Sequence, residues 1–586
     1  MLLARSRTIK QALRRYHLDQ HMLTLLIAAF IGVLSGYGAV LFRLLIKGAQ
    51  YLFYRNTGDI LSFAHTLPIY MIVGIPALGG LVVGLIVTYA ASEAKGHGVP
   101  EVMEAVALRN GRIRKRVAAA KILASAICIG SGGSVGREGP IVQIGSSLGS
   151  TAAQIFNVAR AHQKTMVGCG AAAGIAATFN APIAGVLFAL EILLGDFGIA
   201  SFSPVVLSSV TATTISRHYF GDFPAFSIPA YHLKTLWEFA LYPILGIFAG
   251  LVAILFITTL YKSEDLFDAL PLPQWLKPAI GGLMLGLLLI KVPHVFGVGY
   301  GAINLALFNR LSGVFLISLV LLKIAATSIT IGSGGSGGVF APSLFIGAMA
   351  GGFFGWIANL YFPGTIASPA AYALVGMGAV VAGTTHAPIT AIIIIFELSS
   401  NYKIILPMMI TCILSTMVAS SLKKGSIYTI KLLRRGVDIS GGMEQNLLRS
   451  MEVEQYMLKD PPTVPEGMRL LDLLEAFKKE DVSYLHVLDE NRNLTGIISF
   501  RDIRPLLQEE GLCWLVVAKD VATTNLKTIA PQDSILKALQ IMGDIGISQL
   551  PVLGGENGKK VIGILRDKDV ISAYDKAVIR REIETG

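Results

Sequence analysis

The residues best placed to do chemistry in this 586-residue chain are a few glycine-rich segments, one acid and one histidine. Gly130-Ser-Gly-Gly-Ser-Val-Gly-Arg-Glu-Gly-Pro140 runs directly into an apolar stretch from Ile141, which places it at a helix start. Unpaired N–H groups there, backed by the positive end of the helix dipole, form an anion site. Gly332–Pro342, ending Gly338-Val339-Phe340-Ala341-Pro342, offers a second such N-terminus, and Gly96-His97-Gly98-Val99-Pro100 a third. Three of them directed into one apolar block point to a permeant anion. A dehydrated anion needs compensation for its lost hydration. A full Lys or Arg charge would trap it, whereas amide dipoles bind weakly enough to release it.

Glu138 stands where that backbone attracts anions. Ionised, its oxygens occupy an anion site; protonated, it leaves. An acid at membrane depth is functional by default, so a gate is favoured over a structural acid that caps the amides. Glu191 and Glu397 are also acids in apolar segments, each eight residues after an Ala-Pro-Ile triplet, Ala181–Ile183 and Ala387–Ile389. Two copies of one arrangement favour a structural role for both.

The elements that must hold these residues are membrane segments. Hydrophobic residues make up 53% of the chain and charged ones 15%, against about 25% charged in soluble domains. That balance excludes a disordered chain and argues against an ordinary soluble enzyme. Residues 1–450 carry 32 Lys and Arg against 16 Asp and Glu, net +16, while residues 451–586 carry 17 against 22, net −5. The basic excess therefore belongs to the loops of a membrane block and gives no support to nucleic-acid binding. Leu23–Leu45, Leu67–Ala90 and Phe239–Leu260 are long enough to span a bilayer. Val117–Ile129, Ile141–Ala153, Met166–Thr178, Pro182–Leu194, Phe340–Ala350 and Ala387–Leu398 are short and interrupted, as expected of broken helices around a polar pathway. Met1–Gln20 is basic and reads as a cytoplasmic segment before a retained first span. Cys128, Cys169, Cys412 and Cys513 show no paired spacing, so neither a disulfide framework nor a metal site is expected.

The membrane block repeats. Ile129–Ser134 recurs as Ile331–Ser336, 202 residues on; Ala181–Ile183 recurs as Ala387–Ile389, 206 on; Gly96–Gly98 has a looser mate in Gly297–Gly299, 201 on. Paired, glycine-interrupted segments in two halves mark a binding site at the repeat interface.

These motifs resemble the CLC family of voltage-gated chloride channels and proton–chloride exchangers. Gly132–Pro140, Gly338–Pro342 and Gly96–Pro100 match the family's three filter segments, and Tyr428 in Ser426-Ile-Tyr-Thr429 matches its late pore tyrosine. The resemblance implies an α-helical polytopic fold, an inverted repeat of tilted and broken helices, with halves at about 21–220 and 230–430 inside a domain of 21–436. It implies a homodimer in the cell membrane with one pore per subunit and both termini cytoplasmic. It implies that Glu138 gates, that the amides of Val339 and Phe340 and the Tyr428 hydroxyl hold a central chloride, and that Arg137, Glu138 and Gly139 line an outer site. Gly136, Pro140, Gly338, Ala341 and Pro342 complete the pathway segments, with Gly96, His97, Gly98, Val99 and Pro100.

Two positions depart from the family pattern. His97 stands where the family usually has a serine whose hydroxyl binds chloride; the imidazole either donates in its place or points away into a polar pocket. Ile192 stands where exchangers carry their internal proton glutamate, which favours a channel over a proton-coupled exchanger. Fluoride or nitrate are the alternative anions, because His97 alters the selectivity position.

After a linker at 437–450, residues 451–510 and 518–580 form two similar strand–helix–strand–strand units that resemble a tandem CBS pair, a regulatory α/β module that can bind adenine nucleotides. Gly496-Ile-Ile-Ser499-Phe-Arg-Asp502 fits the nucleotide pattern, Ser499 for phosphate and Asp502 for ribose; the second copy keeps Asp569 but has Arg566 in the hydroxyl slot. ATP or another adenine nucleotide is thus the one expected ligand of the tail, and no cofactor is required for transport. The alternative is a purely structural pair. Some intramembrane metalloproteases also carry CBS pairs, but no histidine here is followed by glutamate, so the His-Glu-x-x-His helix such an enzyme needs is missing.

Overall fold

The computed structural model describes residues 20–222, 226, 234–437, 448, 451–480, 482–508, 514–554 and 560–584. Cys513, most of the 437–450 linker and nearly all of Met1–Gln20 lie outside the described residues. The chain divides into two compact units, Met1–Val437 and Asp438–Gly586.

The first unit is helical. In chain order it contains α1 (Gln20–Tyr54), α2 (Ile60–Phe63), α3 (Ile69–Tyr89), α4 (Val99–Leu108), α5 (Lys115–Gly130), α6 (Glu138–Ile155), α7 (Arg160–Phe179), α8 (Pro182–Phe188) and α9 (Ile199–Phe220). The second half follows with α10 (Leu241–Ala269), α11 (Lys277–Lys291), α12 (Tyr300–Leu307), α13 (Gly313–Gly332), α14 (Phe340–Tyr361), α15 (Pro369–Thr385), α16 (Pro388–Ser399), α17 (Ile405–Leu422) and α18 (Thr429–Arg434). Seven helices among the described residues are long and apolar enough to cross a membrane. The internal repeat is therefore structural: α4, α5 and α6 recur as α12, α13 and α14, and α7, α8 and α9 as α15, α16 and α17.

Local chemistry explains the shared breaks. Helix α7 ends at Asn180 and α15 at His386, both in the left-handed conformation, and each is followed by Ala-Pro with proline opening the next helix, a position where proline's missing N–H is no loss. Glu397 then accepts from the Ile183 and Ala184 amides at 3.0 and 2.7 Å, while Glu191 accepts from the Ile389 and Thr390 amides at 3.2 and 2.7 Å and from the Thr390 hydroxyl at 2.6 Å. Each half's acid thus caps the other half's helix.

Equivalent backbone also meets itself. Gly136 donates to the Gly338 carbonyl at 2.8 Å and Gly338 returns the bond to Gly136 at 2.7 Å, an antiparallel bridge between repeat mates 202 residues apart. The N-termini of α6 and α14 face each other across it, as an inverted pair requires.

One helix is longer than its sequence pattern implies. Phe340–Ala350 reads as a short piece ending before Gly351-Gly352, yet α14 continues to Tyr361. The glycines are there for packing: a Cβ on Gly351 would lie 2.1 Å from the Tyr372 carbonyl of α15, and one on Gly347 2.4 Å from the Gly376 carbonyl. Gly145 and Gly149 of α6 meet α7 in the same way. This four-residue glycine spacing lets membrane helices approach closely.

In the second unit, two three-stranded sheets are built from β1 (Leu458–Lys459), β2 (Thr463–Pro465), β3 (Tyr484–Leu488), β4 (Leu494–Ser499), β5 (Gln549–Gly554) and β6 (Lys560–Arg566), in the orders β1-β6-β5 and β2-β3-β4. The helices are α19 (Leu470–Glu480), α20 (Phe500–Ile503), α21 (Ala518–Val521), α22 (Ile535–Ile545) and α23 (Asp567–Glu584). Leu470, Leu473 and Phe477, at helical spacing, bury one face of α19 in the first core.

The two modules expected at 451–510 and 518–580 exchange their leading segments. Met451 and Val453 pack in the second core and β1 pairs with β6, while Ala518 packs in the first core and its amide donates to the Met468 carbonyl at 2.8 Å. Each exchange satisfies backbone groups that a module cut at 451 or 518 would leave open.

Candidate functional site

The three glycine segments converge. Gly96 and Gly98 take positive φ, 76° and 83°, turning the chain so that Val99 and Pro100 open α4. Lys121 on α5, fully buried, donates to the Ala94 and Gly96 carbonyls at 3.0 and 2.7 Å and anchors that turn. The Gly96 amide donates to the Gly335 carbonyl at 2.9 Å, and Gly337 donates back to Gly96 at 3.3 Å. Gly139 needs to be glycine, since a Cβ would fall 2.2 Å from the His97 carbonyl and 3.0 Å from the Gly338 Cα. Residues 96–98, 136–140 and 335–342 are therefore one cluster, although up to about 240 residues separate them in sequence.

Arg137 and Val339 are the residues before α6 and α14; Glu138 and Phe340 open those helices. Glu138 is buried and folded back onto the helix ends: a Cβ on Gly136 would lie 2.0 Å from its Oε2 and 3.2 Å from the Ala341 amide nitrogen. Its Oε1 accepts from the Tyr300 hydroxyl at 3.2 Å. The Pro140 and Pro342 rings follow in the first turns, where no intrahelical N–H is needed.

Tyr428, 1% exposed, precedes α18 and lies within electrostatic reach of Glu138. Its ring centroid is 5.8 Å from that of His97. The His97 imidazole is 2% exposed, and its Nδ1 makes no hydrogen bond among the described residues. The histidine therefore sits beside Tyr428 with a polar atom uncommitted. Next to the Gly96 turn lies a cavity of about 590 Å³ lined by, among others, Glu101, Gln143 and Lys431, with Lys431 and Glu101 paired at 2.8 Å.

Ile192 lies in a π turn, Ala189–Leu194, that continues α8. Its neighbour Glu191 is committed to the cap on α16.

Tyr300 was not apparent as a site residue from motif matching. The repeat carried the signal: extended one residue beyond Gly297–Gly299, the mate of Val99 is Tyr300.

In the tail, the candidate nucleotide residues are paired among themselves. Ser499 donates from its hydroxyl and amide to Asp502 Oδ2 at 2.7 and 2.8 Å, capping α20. Arg566 Nε and Nη2 reach Asp569 Oδ2 and Oδ1 at 2.6 and 2.8 Å, and this contact raises the guanidinium's proton affinity further. The first pair belongs to the module of β2–β4 and the second to that of β5 and β6. No group of His, Cys, Asp and Glu among the described residues is arranged to hold a metal, and Cys128, Cys169 and Cys412 are buried free thiols.

Similarities to known proteins agree with this geometry. The family model for voltage gated chloride channels matches residues 79–420, and the CBS domain model matches 453–509 and 518–576. A putative chloride channel protein ClcB-like from Ralstonia nicotianae is 35% identical over 418 residues, 71% of this chain and 97% of the relative. Chloride channel protein CLC-f of Arabidopsis thaliana is 30% identical over 572 residues, 84% of this chain and 72% of its own. Among solved structures, a slow cyanobacterial Cl⁻/H⁺ antiporter aligns with a TM-score of 0.65 at 28% identity, covering 70% of this chain and 97% of that one. A eukaryotic CLC transporter shares the fold with a TM-score of 0.62 at 22% identity over 94% and 98% of the two chains.

Proposed function

Because the chain belongs to the voltage-gated chloride channel (CLC) family, we propose that its chloride pathway runs past the N-termini of α4, α6 and α14, with Glu138 as the gate. The observation that carries this reading is the Glu138 carboxylate, buried and folded onto the amides of α6 and α14. A carboxylate there mimics the permeant anion: with Oε2 buried and making no hydrogen bond among the described residues, it lies beside the same N–H groups and excludes chloride while ionised. Protonation removes its attraction to the dipoles, and chloride takes its place. Conduction follows because partial charges hold the ion without trapping it.

His97 and Tyr428 form the inner, central site. The uncommitted Nδ1 of His97, next to the Tyr428 ring, supports a pathway-lining role in place of the serine hydroxyl. A His97 N–H presents one donor on a rigid ring, so selectivity among chloride, fluoride and nitrate is set here.

Channel-like transport is the leading mode, because Ile192 carries no proton. The second reading is a proton-coupled exchanger, favoured by the 28% identity to a Cl⁻/H⁺ antiporter. Reversal potential in reconstituted membranes under opposed chloride and proton gradients separates the two. A reversal that follows chloride alone supports the channel; displacement by the proton gradient overturns it.

The protein works as a homodimer in the cell membrane, with both termini cytoplasmic and the CBS pair regulating the pore. An adenine nucleotide binds the pair by displacing the Ser499–Asp502 and Arg566–Asp569 contacts, which frees one hydroxyl and one guanidinium for phosphate.

A further inference from the structure

The loop Val295–Tyr300 is the repeat mate of the Ala94–Val99 loop and is held in the same way. Lys323 on α13, fully buried, donates to the Val295 and Gly297 carbonyls at 3.2 and 2.8 Å, as Lys121 does to Ala94 and Gly96. Gly297 and Gly299 take positive φ, 55° and 89°. The Gly96–Gly98 turn carries His97 beside Tyr428. The Gly297–Gly299 turn instead leads into Tyr300, whose hydroxyl donates to Glu138 Oε1 at 3.2 Å.

The Tyr300 ring is fixed on two sides. Phe226 meets it edge-on at 5.2 Å, and the Arg137 guanidinium lies 5.6 Å from its centroid. A phenol restrained in this way loses little freedom in keeping its hydrogen bond, so the contact counts toward the position of its acceptor.

We infer that Tyr300 is a positioning residue of the gate, a phenol that holds the Glu138 carboxylate folded onto the helix N-termini and must release it before the pathway opens. The inference rests on the reading of Glu138 as the gate. A hydroxyl donor stabilises the ionised acid more than the protonated one, so removing it makes the gate easier to protonate and open. Three other ionisable groups face this pair: Arg137 just before α6, Arg43 of α1 beside Arg137 and Tyr300, and Tyr428 before α18. All three remain when the Tyr300 hydroxyl alone is deleted.

The test is the pH profile of chloride flux through the full chain in liposomes. Tyr300→Phe keeps the ring against Phe226 and Arg137; the flux midpoint should move alkaline by roughly 0.5–1 pH unit, a three- to tenfold change in the protonation equilibrium. Site-specific 3-fluorotyrosine at position 300, a stronger donor of nearly the same shape, should move it the opposite way. On a Glu138→Gln background, Tyr300→Phe should shift nothing. If Glu138→Gln removes the pH dependence while neither Tyr300 change moves the midpoint, the Tyr300 inference is overturned and the gate stands. If pH dependence survives Glu138→Gln, the gate reading itself fails. A Tyr300→Phe shift that persists without Glu138 also overturns the inference, because the hydroxyl then acts elsewhere.

Discussion

Replacing Glu191 or Glu397 by alanine separates a structural acid from a proton carrier at the two positions adjoining the repeat interface. Glu397 accepts two amide bonds, from Ile183 and Ala184, and Glu191 accepts three bonds, from Ile389, Thr390 N and Thr390 Oγ1. The capped helix starts carry exposed apolar side chains, Ile183 at 53% and Ile389 at 46%, so in an apolar environment water replaces the lost acceptor poorly. At about 1 kcal/mol per lost bond, with the helix dipole adding to each, Glu397→Ala should cost about 2–3 kcal/mol and Glu191→Ala about 3–4 kcal/mol. Glutamine keeps a carbonyl acceptor, so the two Gln variants should lose less than half as much. The assay is thermal or denaturant unfolding of the purified protein in detergent, with chloride flux measured on the same preparations. Selectivity and reversal potential should match wild type while stability falls in the order Glu191→Ala, Glu397→Ala, Gln variants. A loss below about 0.5 kcal/mol in both Ala variants, or altered proton coupling at unchanged stability, would refute the capping argument.

Three further outcomes are expected. His97→Ser should change the anion permeability sequence measured from bi-ionic reversal potentials, and an unaltered sequence would place the imidazole outside the pathway. Asp502→Ala should weaken ATP binding to the full-length protein at least tenfold by calorimetry; unchanged binding would put the nucleotide elsewhere or reject it. In the tail, His486 is buried with Nδ1 against the Pro462 carbonyl at 3.1 Å, and burial pushes its pKa below the ordinary value. The unfolded chain then binds the extra proton, so the first module should be stable at neutral pH and lose stability as pH falls below about 6.5. Hydrogen exchange of the β3 amides from pH 7.5 to 5 reads this directly, and His486→Leu should flatten the slope.

Much of this was legible in the amino-acid order, for a local reason. Glycine runs ending in proline mark helix N-termini whatever the fold, so the segments at Gly96, Gly136 and Gly338 and the acid among them stood out at once. The repeat was visible as well, because mates keep one spacing of 201–206 residues. The strand–helix–strand–strand order of the two tail units was legible in the same way.

What only the tertiary structure decided were pairings between groups far apart in the chain. Periodicity reports which face of an element is apolar, but it does not say which distant backbone group meets which side chain. Thus Gly351-Gly352 looks like the end of a helix, and only the proximity of α15 shows that it is a packing surface. The segment from Met451 opens the first module in sequence, and only the fold shows that it pairs with the free edge of β6 in the second. The reciprocal caps of Glu191 and Glu397 join groups that become neighbours only when the halves meet antiparallel at Gly136 and Gly338. Residue types alone marked three helix starts and an acid at one of them. The closure of two halves onto each other decided that the acid lies folded on the amides, with a tyrosine from the opposite repeat holding its other oxygen.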